Sequence, residues 1–466
     1  MYKLIIAFIT LCFITTISRA QDLGIKAPPQ DHTVLITHAT IHTMAGKTIA
    51  DGSIVFDNTG ITSILDSGMV PTFAPGTKLL EIDATDKHIY PGLISPYSQL
   101  GLTEIGAVRA THDHSEVGSF LPEVKAATAI NPDSTILPVT RSNGILIAAV
   151  FPDASLNLFG DGDPTGLIPG RASVIRMDGW TTEDMTIAAD AGVIVNEPLP
   201  RPIKAWWMSQ KEDAQKKKIN RALDMLETFY TNAIAYNAAR PTAHNTHPKA
   251  SALPTDLRYE AMADSLAGAG DAQTPTFFMA NDLDQITGAL AFASRHHLRP
   301  VIVGGRDAGL CTNQLKEANA SVILQSSYRM PKRDDSPYDE LYTLPQKLGT
   351  AGIPYAIASA EETPHERSLP YAGALAVAHG LPADDALAAL TITPAKIFGI
   401  ADRYGSLKVG KSATIIITDG NPLDVRTHVE LAFIDSRAID LANKQTKLAQ
   451  KYREKYIQLG LLPKEK

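Results

Sequence analysis

The stretch His88–Glu116, HIYPGLISPYSQLGLTEIGAVRATHDHSE, decides the fold because the chain changes character there. Short β runs separated by turns precede it. Apolar strands and amphipathic helices alternate after it, as far as about Gly399. The motif YPGLI, Tyr90–Ile94, predicts a strand that opens a barrel. Residues that follow Ile94 are then expected at the carboxyl end of that strand, where (β/α)8 barrels carry their chemistry.

Repeated βα units after Pro275 extend this interpretation. Four strand-like runs, TFFMAND, PVIVGGRDA, SVILQSS and PYAIASAEE, are each followed by a helical segment, and polar residues come just past each strand. Such alternation is typical of a parallel barrel. A doubly wound sheet is less consistent with the chain, because no Gly-rich first turn is present. The predicted fold class is α/β, a TIM (β/α)8 barrel.

Turn-bounded β runs occur at both ends of the chain. They cover residues 32–86 and 404–437 and cannot extend a closed barrel. We therefore expect a small composite β-sandwich domain built from residues 31–88 and 404–440. The barrel occupies residues 89–403, and residues 441–466 form a charged helical tail.

Composition and charge restrict the partners. The chain has 466 residues, a net charge of -7 and a pI near 6.0, so a nucleic-acid partner is not expected. A small-molecule substrate or ligand fits better, and a homo-oligomer remains open.

The first twenty residues have the pattern of a secretory signal peptide. A basic start, a short apolar run over residues 4–17 and a small-x-small end at Ser18–Ala20 predict cleavage after Ala20. The alternative is an uncleaved membrane anchor. Cleavage predicts a periplasmic or secreted protein without a membrane partner. Cys311 is then the one cysteine left, so no internal disulfide is expected.

The segment Ala389–Asp424 carries a family pattern. Its elements are Thr393-Pro394-Ala395-Lys396, Gly405-Ser406-Leu407, Gly410-Lys411 and Asp419-Gly420-Asn421-Pro422. With the β prologue and YPGLI, the chain resembles the amidohydrolase superfamily in its imidazolonepropionase-like branch. The resemblance implies a hydrolase of C–N bonds outside peptides, often in cyclic amides, with zinc or another divalent metal that activates water.

The family's metal ligands are replaced in this sequence. The resemblance implies His-x-His after the first strand, but Tyr97 and Gln99 stand there. Met279 and Gly304 occupy the histidine positions of the fifth and sixth strands, and Ala360 or Glu361 the aspartate position of the eighth. The ligand of the fourth strand is not located. Such side chains rarely or never bind a hard metal, so no cofactor is expected. The pattern is similar to a metal-poor group of exported bacterial amidohydrolase-like proteins.

Candidate site residues follow the predicted strands. Glu361, Arg176 and Asp178 are the catalytic candidates, with Glu361 as a general base. The ligand-binding candidates are Tyr97, Gln99, Asn281, Arg306 and His365. Each has a structural alternative: a hydrated loop around Glu361 and His365, a buried Arg176–Asp178 pair, or helix N-caps near Asn281 and Arg306.

One alternative metal site remains in the sequence. His112 and His114 flank Asp113 and would bind a metal together with Glu361 or His365 if their loop folds over the barrel. Two functions follow: a hydrolase of small amides or cyclic amides that has lost the family metal site, or a non-catalytic periplasmic protein that binds a small ligand or peptide at the barrel mouth.

Overall fold

The computed structural model describes residues 26–69, 71–153, 155–160, 162–239, 254–268, 270, 273–325, 328–359 and 362–463. Two eight-stranded sheets dominate it. The strands are β1 (Thr33–His42), β2 (Thr48–Asp57), β3 (Gly60–Leu65), β4 (Leu79–Asp83), β5 (His88–Pro91), β6 (Leu93–Ser98), β7 (Ile145–Val150), β8 (Gly170–Arg176), β9 (Thr186–Asn196), β10 (Thr276–Ala280), β11 (Pro300–Gly304), β12 (Ser321–Leu324), β13 (Tyr355–Ile357), β14 (Ile415–Thr418), β15 (Val429–Ile434) and β16 (Arg437–Ala438).

Most helices lie between or after the strands of the second sheet, whereas the last helix follows the final strand of the first sheet and has no buried residue. They are α1 (Ile136–Arg141), α2 (Thr182–Met185), α3 (Glu212–Ala239), α4 (Leu257–Glu260), α5 (Ala263–Leu266), α6 (Leu283–Arg295), α7 (Thr312–Glu317), α8 (Glu340–Thr350), α9 (Leu369–Ala378), α10 (Ala383–Ala389), α11 (Ile392–Ile397) and α12 (Lys444–Gln458). In α6, Ile286, Ala289, Leu290 and Ala293 form one buried face, the spacing of an amphipathic helix. None of the described helices combines the length and apolar character of a membrane span.

The first sheet contains strands from both ends of the chain. Its order is β16-β15-β14-β5-β1-β2-β3, with β4 beside β1. The strand β14 pairs antiparallel with β5, so that Ile415 lies opposite Pro91 and Thr418 opposite His88. Ile36, Ile89 and Phe433 pack in its apolar core.

The second sheet has the order β13-β12-β11-β10-β9-β8-β7-β6 and is a nearly closed barrel. Its two end strands β13 and β6 approach each other. The Ile94 amide of β6 donates to the carbonyl of Leu390, which lies just after the helix Ala383–Ala389, at 2.8 Å. The chain is thus a mixed α/β protein with a barrel sheet, as predicted.

One barrel strand departs from the (β/α)8 pattern. β8 runs antiparallel to both β7 and β9, whereas the other seven strands run in one direction. Residues 151–169 connect β7 to β8, and the short segment 177–185 with the four-residue helix α2 connects β8 to β9. The carboxyl end of β8 therefore lies at the barrel end opposite to that of its neighbours.

The YPGLI motif joins the two sheets. β5 ends at Pro91 in the first sheet, and β6 begins at Leu93 in the barrel. A Cβ at Gly92 would lie 2.7 Å from Cδ1 and 2.9 Å from Cβ of Leu146, so only glycine lets the chain pass this close to β7. The change of character that the sequence shows at this point is confirmed.

Candidate functional site

Side-chain alternation decides which residues reach the barrel interior. Ile194, Phe277, Val303, Ile323 and Ala356 belong to the apolar cluster inside the barrel, with Met279 and Tyr97 packed against it. Val193 and Val195 belong instead to the core between barrel and helices. At the carboxyl end, therefore, Asn196 and Gln325 continue the inward rows, while Glu197 continues an outward row.

Tyr97 and Gln99 lie at the carboxyl end of the barrel, close to the carboxylate of Asp153, which follows β7. The Tyr97 ring packs on Phe151 at a centroid distance of 4.9 Å. Gln99 Nε2 donates to Asp153 Oδ2 at 3.2 Å, and Thr103 Oγ1 donates to Gln99 Oε1 at 3.4 Å. Burial, assisted by the Asp153 charge, raises the pKa of the Tyr97 hydroxyl far above its usual range. Tyr97 is therefore a neutral hydroxyl at ordinary pH.

Gln325 completes this polar group, which we call the mouth cluster: Tyr97, Gln99, Asp153 and Gln325. The Gln325 amide lies close enough to Tyr97 to oppose the rise in its pKa. Its Nε2 is buried and has no hydrogen-bond partner of good geometry within the described ranges. A buried amide donor of this kind is suited to a ligand carbonyl, because leaving it unpaired is costly.

The family's metal does not fit the donors present. On the fifth and sixth strands, Met279 offers a thioether packed against the interior cluster, and Gly304 offers no side chain. Gly304 has a φ of 104°, and a Cβ there would lie 2.6 Å from Asn281 Oδ1. Asn281 thus occupies the space that a histidine at 304 would need. Across the described residues, no group of three or more His, Cys, Asp or Glu is arranged to hold a metal ion.

Asn281 and Arg306 follow β10 and β11, and each has a structural partner: the Asn281 amide donates to Gln285 Oε1 at 3.3 Å, and Arg306 binds Asp282. Asp282, 5% exposed, begins α6, and its amide donates to Gln285 Oε1 at 3.2 Å. Its carboxylate binds Arg306, Lys332 Nζ at 2.5 Å, and Arg201 at 2.6 Å. We call these four residues the Asp282 cluster. Burial and repulsion by the other two cations lower the pKa of Lys332.

The structure does not bring Arg176 and Asp178 to the mouth. Because β8 is reversed, Arg176 lies at the amino end of the barrel, where its Nε is 3.1 Å from Asp435 Oδ2. Asp178 pairs with Arg141 at 3.5 Å and accepts from the Ala27 amide at 3.2 Å. Arg176 thus pairs with Asp435, where both side chains are partly exposed, and the buried pair is Arg141–Asp178, instead of Arg176 with Asp178. Burial raises the pKa of Asp178, and the Arg141 charge opposes this rise.

The histidine loop does reach the mouth, although each imidazole already has a partner. His114 Nδ1 hydrogen-bonds the Asp153 carbonyl at 3.0 Å, and the Asp153 amide donates to the His114 carbonyl at 2.7 Å. His112 Nε2 bonds the Ile105 carbonyl at 3.1 Å. The two ring centroids are 5.3 Å apart. The loop therefore positions Asp153 through the two hydrogen bonds between His114 and the Asp153 backbone.

The remaining candidates lie past the last barrel strand. Glu361 is outside the described residues. His365 is exposed in a short 3-10 helix, Thr363–Ser368, and its amide donates to the Glu362 carbonyl at 2.7 Å. Sequence reasoning missed Glu366, which is buried and accepts from Ser359 Oγ at 2.5 Å.

Asp153, Gln325 and Lys332 were also missed from the sequence. Asp153 and Gln325 directly follow the apolar runs of β7 and β12, so the rule that polar residues past a strand face the mouth would have found them. Lys332 lies in the loop after β12 and carries no local signal. Only the fold places its amine beside Asp282.

Comparisons with known proteins agree with this architecture. Residues 348–449 match the amidohydrolase family. The amidohydrolase tasK of Hapsidospora irregularis is 21% identical over 408 residues, which are 81% of this chain but 39% of that protein. The chain thus spans well under half the length of this curated relative.

Two solved structures are similar in fold. An amidohydrolase from Thermotoga maritima MSB8 has a TM-score of 0.71 at 20% identity, covering 87% of this chain and 99% of that one. A protein described as uncharacterized has a TM-score of 0.51 at 14% identity, covering 88% and 99%. The matched segment 348–449 runs from α8 through β13 to β14 and β15 and into α12. Residues 348–449 therefore match the amidohydrolase family within a fold similar to that of the Thermotoga maritima amidohydrolase.

Proposed function

We propose that the protein hydrolyses C–N bonds other than peptide bonds in a small amide or cyclic amide, without the family's metal. It is then an exported member of the imidazolonepropionase-like branch, with a composite β-sandwich domain beside the barrel and a periplasmic or secreted location. The family match over residues 348–449 and the fold support the reaction class. The observation that carries the proposal is the mouth cluster, which stands where the family's metal ligands are replaced.

The mouth cluster supplies the groups that such a reaction needs. Asp153 accepts the proton of a water molecule whose oxygen attacks the carbonyl carbon. Gln325 Nε2 and the neutral Tyr97 hydroxyl donate to the carbonyl oxygen as it gains charge. The C–N bond then breaks, the nitrogen takes the proton, and the products are an amine and a carboxylic acid.

The Asp282 cluster lies beside the mouth and favours anionic substrates. Three cationic side chains converge on one carboxylate there. A substrate carboxylate near Lys332 or Arg306 would be bound by charge-assisted hydrogen bonds.

Activity assays with the mature protein test this function. Small amides and cyclic amides, with and without a carboxylate, are incubated with wild type and Asp153→Asn, and released amine is measured. General-base loss lowers kcat by about 10²- to 10⁴-fold. The exposed Asp66→Asn, whose partner Lys47 is also exposed, is the matched control and keeps full activity. Turnover unchanged in Asp153→Asn contradicts the assignment of the base.

Glu361 remains a second candidate base, and Glu361→Gln is assayed alongside. Loss of turnover with ligand affinity kept in that variant, and not in Asp153→Asn, moves the base to Glu361.

A non-catalytic binding protein is the second candidate. The geometry at Gly304 favours it, because the Asn281 side chain occupies the space of the histidine that would bind the metal in the family. Ligand binding by wild type in calorimetry, with no amine released from any substrate, would support this alternative and exclude the hydrolase.

A further inference from the structure

A cleft outside the barrel holds a buried carboxyl group that no neighbour satisfies. Glu197 directly follows β9 on an outward row, and it is 6% exposed. Its side chain lines a cavity of about 540 Å³ between α3 and α6. No hydrogen bond to its carboxylate oxygens occurs within the described parts of the chain, although its backbone carbonyl accepts from Gln285 Nε2 at 2.8 Å. A buried carboxyl without a partner is uncommon in a native protein.

The chain makes room for this carboxyl group. An ideal Cβ at Gly288 of α6 would lie 3.3 Å from Glu197 Oε1, so a glycine stands where the carboxyl meets the helix. Any larger residue there would press on the oxygen. The group thus sits at the inner end of the cleft, below a glycine, and is separated from the barrel interior by β9 itself.

The rest of the cleft is acidic and apolar. Asp224, Glu227 and Asp284 add three carboxylates to Glu197, and Arg295 is the one cationic side chain in the lining. Arg295 is already bound to Glu227 at 3.0 Å, and His296 Nε2 contacts the same carboxylate at 3.0 Å. The apolar part of the lining consists of Pro200, Leu223, Leu226, Ala291 and Phe292.

We propose that this cleft binds a small organic cation, in which a guanidinium or ammonium group meets Glu197 and an apolar group lies against Leu223 and Phe292. The excess of carboxylates excludes an anionic ligand. A lone metal ion is also disfavoured, because no three carboxylates or imidazoles of the described chain are arranged to hold one. A fork of N–H donors matches a carboxylate.

Binding is coupled to proton release. Burial raises the pKa of Glu197 to about 8, and the charge of Arg295 opposes this rise. A cation binds the ionised form, so the group loses its proton on binding at neutral pH. The other titratable groups in or beside the cleft are Tyr230, Glu227 and Asp224 from α3, Asp284 from α6 and His296 just after it.

Calorimetry with benzylguanidine and its neutral analogue benzylurea tests the proposal. The guanidinium stays charged throughout the range used. Its affinity should rise about tenfold per pH unit below about pH 8 and level off above it. Benzylurea should bind at least about tenfold more weakly, because it lacks the charge.

Variants separate this site from general charge effects. Glu197→Gln should lose about tenfold or more in affinity for benzylguanidine and the pH dependence with it. Asp224→Asn, at the exposed rim, should keep the pH dependence. Ala291→Trp should block the entrance while leaving the carboxyl intact, since Ala291 is exposed. It therefore provides a second test if Glu197→Gln does not fold.

Three results would overturn the proposal. They are equal affinity for benzylguanidine and benzylurea, unchanged binding in folded Glu197→Gln or Ala291→Trp, and no binding of benzylguanidine at millimolar concentration. The site is independent of the mouth cluster, so Asp153→Asn should bind benzylguanidine as wild type does.

Discussion

Asp282 and Glu197 are equally buried carboxyl groups that the fold treats in opposite ways. Asp282 is 5% exposed and bound by three cationic side chains, whereas Glu197 is 6% exposed and accepts no hydrogen bond from the described residues. Glu197 comes directly after β9, which ends at Asn196, and Asp282 comes two residues after β10, which ends at Ala280. Burial alone therefore does not set the state of a carboxyl group. The neighbours do: burial raises the pKa of Glu197, which has no hydrogen-bond partner among the described residues, whereas three cationic side chains surround the Asp282 carboxylate.

The largest effect is expected from removing the paired carboxylate. Asp282→Ala leaves Arg306, Lys332 and Arg201 without their common partner and removes the first residue of the α6 cap. Arg201 and Lys332 are nearly half exposed, so we expect the free energy of unfolding to fall by about 2–4 kcal/mol, below the full effect for a buried pair. Urea denaturation followed by circular dichroism measures this. Asp424→Ala, which breaks an exposed pair with Arg426, is the matched control and should change far less. An equal loss of stability in Asp282→Ala and Asp424→Ala would contradict the view that the three cationic partners of Asp282 stabilise the fold.

The unpaired carboxyl should appear in the pH dependence of stability. The folded-state pKa of Glu197, about 8, lies above its unfolded value, so folding binds a proton and this contribution is complete at low pH. It is lost as pH rises from the unfolded pKa, near 4.5, through about 8. Glu197→Gln lacks this loss. Relative to wild type, the variant should gain about 1.4 kcal/mol of stability per pH unit inside that window.

Denaturation of wild type and Glu197→Gln at several pH values measures this difference. Titration of every other group cancels when the two proteins are compared. Parallel stability curves between about pH 5 and pH 8 would show that Glu197 is ionised in the native state, and the contrast with Asp282 would disappear.

A smaller loss of stability is expected for Gly304→Ala, next to Asn281 and the Asp282 cluster. Gly304→Ala places a Cβ against the Asn281 amide in a backbone conformation that favours glycine, so we expect a loss of about 1–3 kcal/mol. The control is Gly352→Ala. Gly352 is also at positive φ, but nothing lies within 4 Å of its Cβ position, so this change carries only the cost of the backbone conformation. If Gly304→Ala costs no more than Gly352→Ala, Asn281 moves freely and position 304 is open to a ligand side chain.

The smallest effect is expected for metal content. The donors at the family positions do not fit a divalent metal, and His112 and His114 each bond a backbone carbonyl. We predict well under one equivalent of transition metal in protein purified without chelator, and no change in His112→Ala/His114→Ala. Elemental analysis decides this. Stoichiometric zinc that survives the double replacement would contradict the metal-free interpretation, and zinc lost with it would place the site in the histidine loop.

The third and fourth barrel strands show where sequence reasoning stopped. The apolar run in β8 identified a strand but not its direction, because direction depends on how the chain returns between β7 and β9. The first half of β9 is only half-buried and gives no clear alternation, so the strand was not predicted and no residue could be assigned to its end. Arg176 was consequently placed at the mouth, and Glu197 was overlooked.

Local features of the sequence determined the rest of the framework. The YPGLI motif, the repeated βα units after Pro275 and the β runs at both ends predicted the α/β class and the barrel, because hydrophobic periodicity is a property of neighbouring residues. The sequence also predicts that Tyr97, Gln99, Met279 and Gly304 stand at the family's ligand positions, and this stays a prediction. The tertiary structure alone decided which charges meet. Asp282 lies 50 residues before Lys332, and Glu197 lies 91 residues before Gly288. Contacts between residues so far apart in sequence leave no local pattern in the chain.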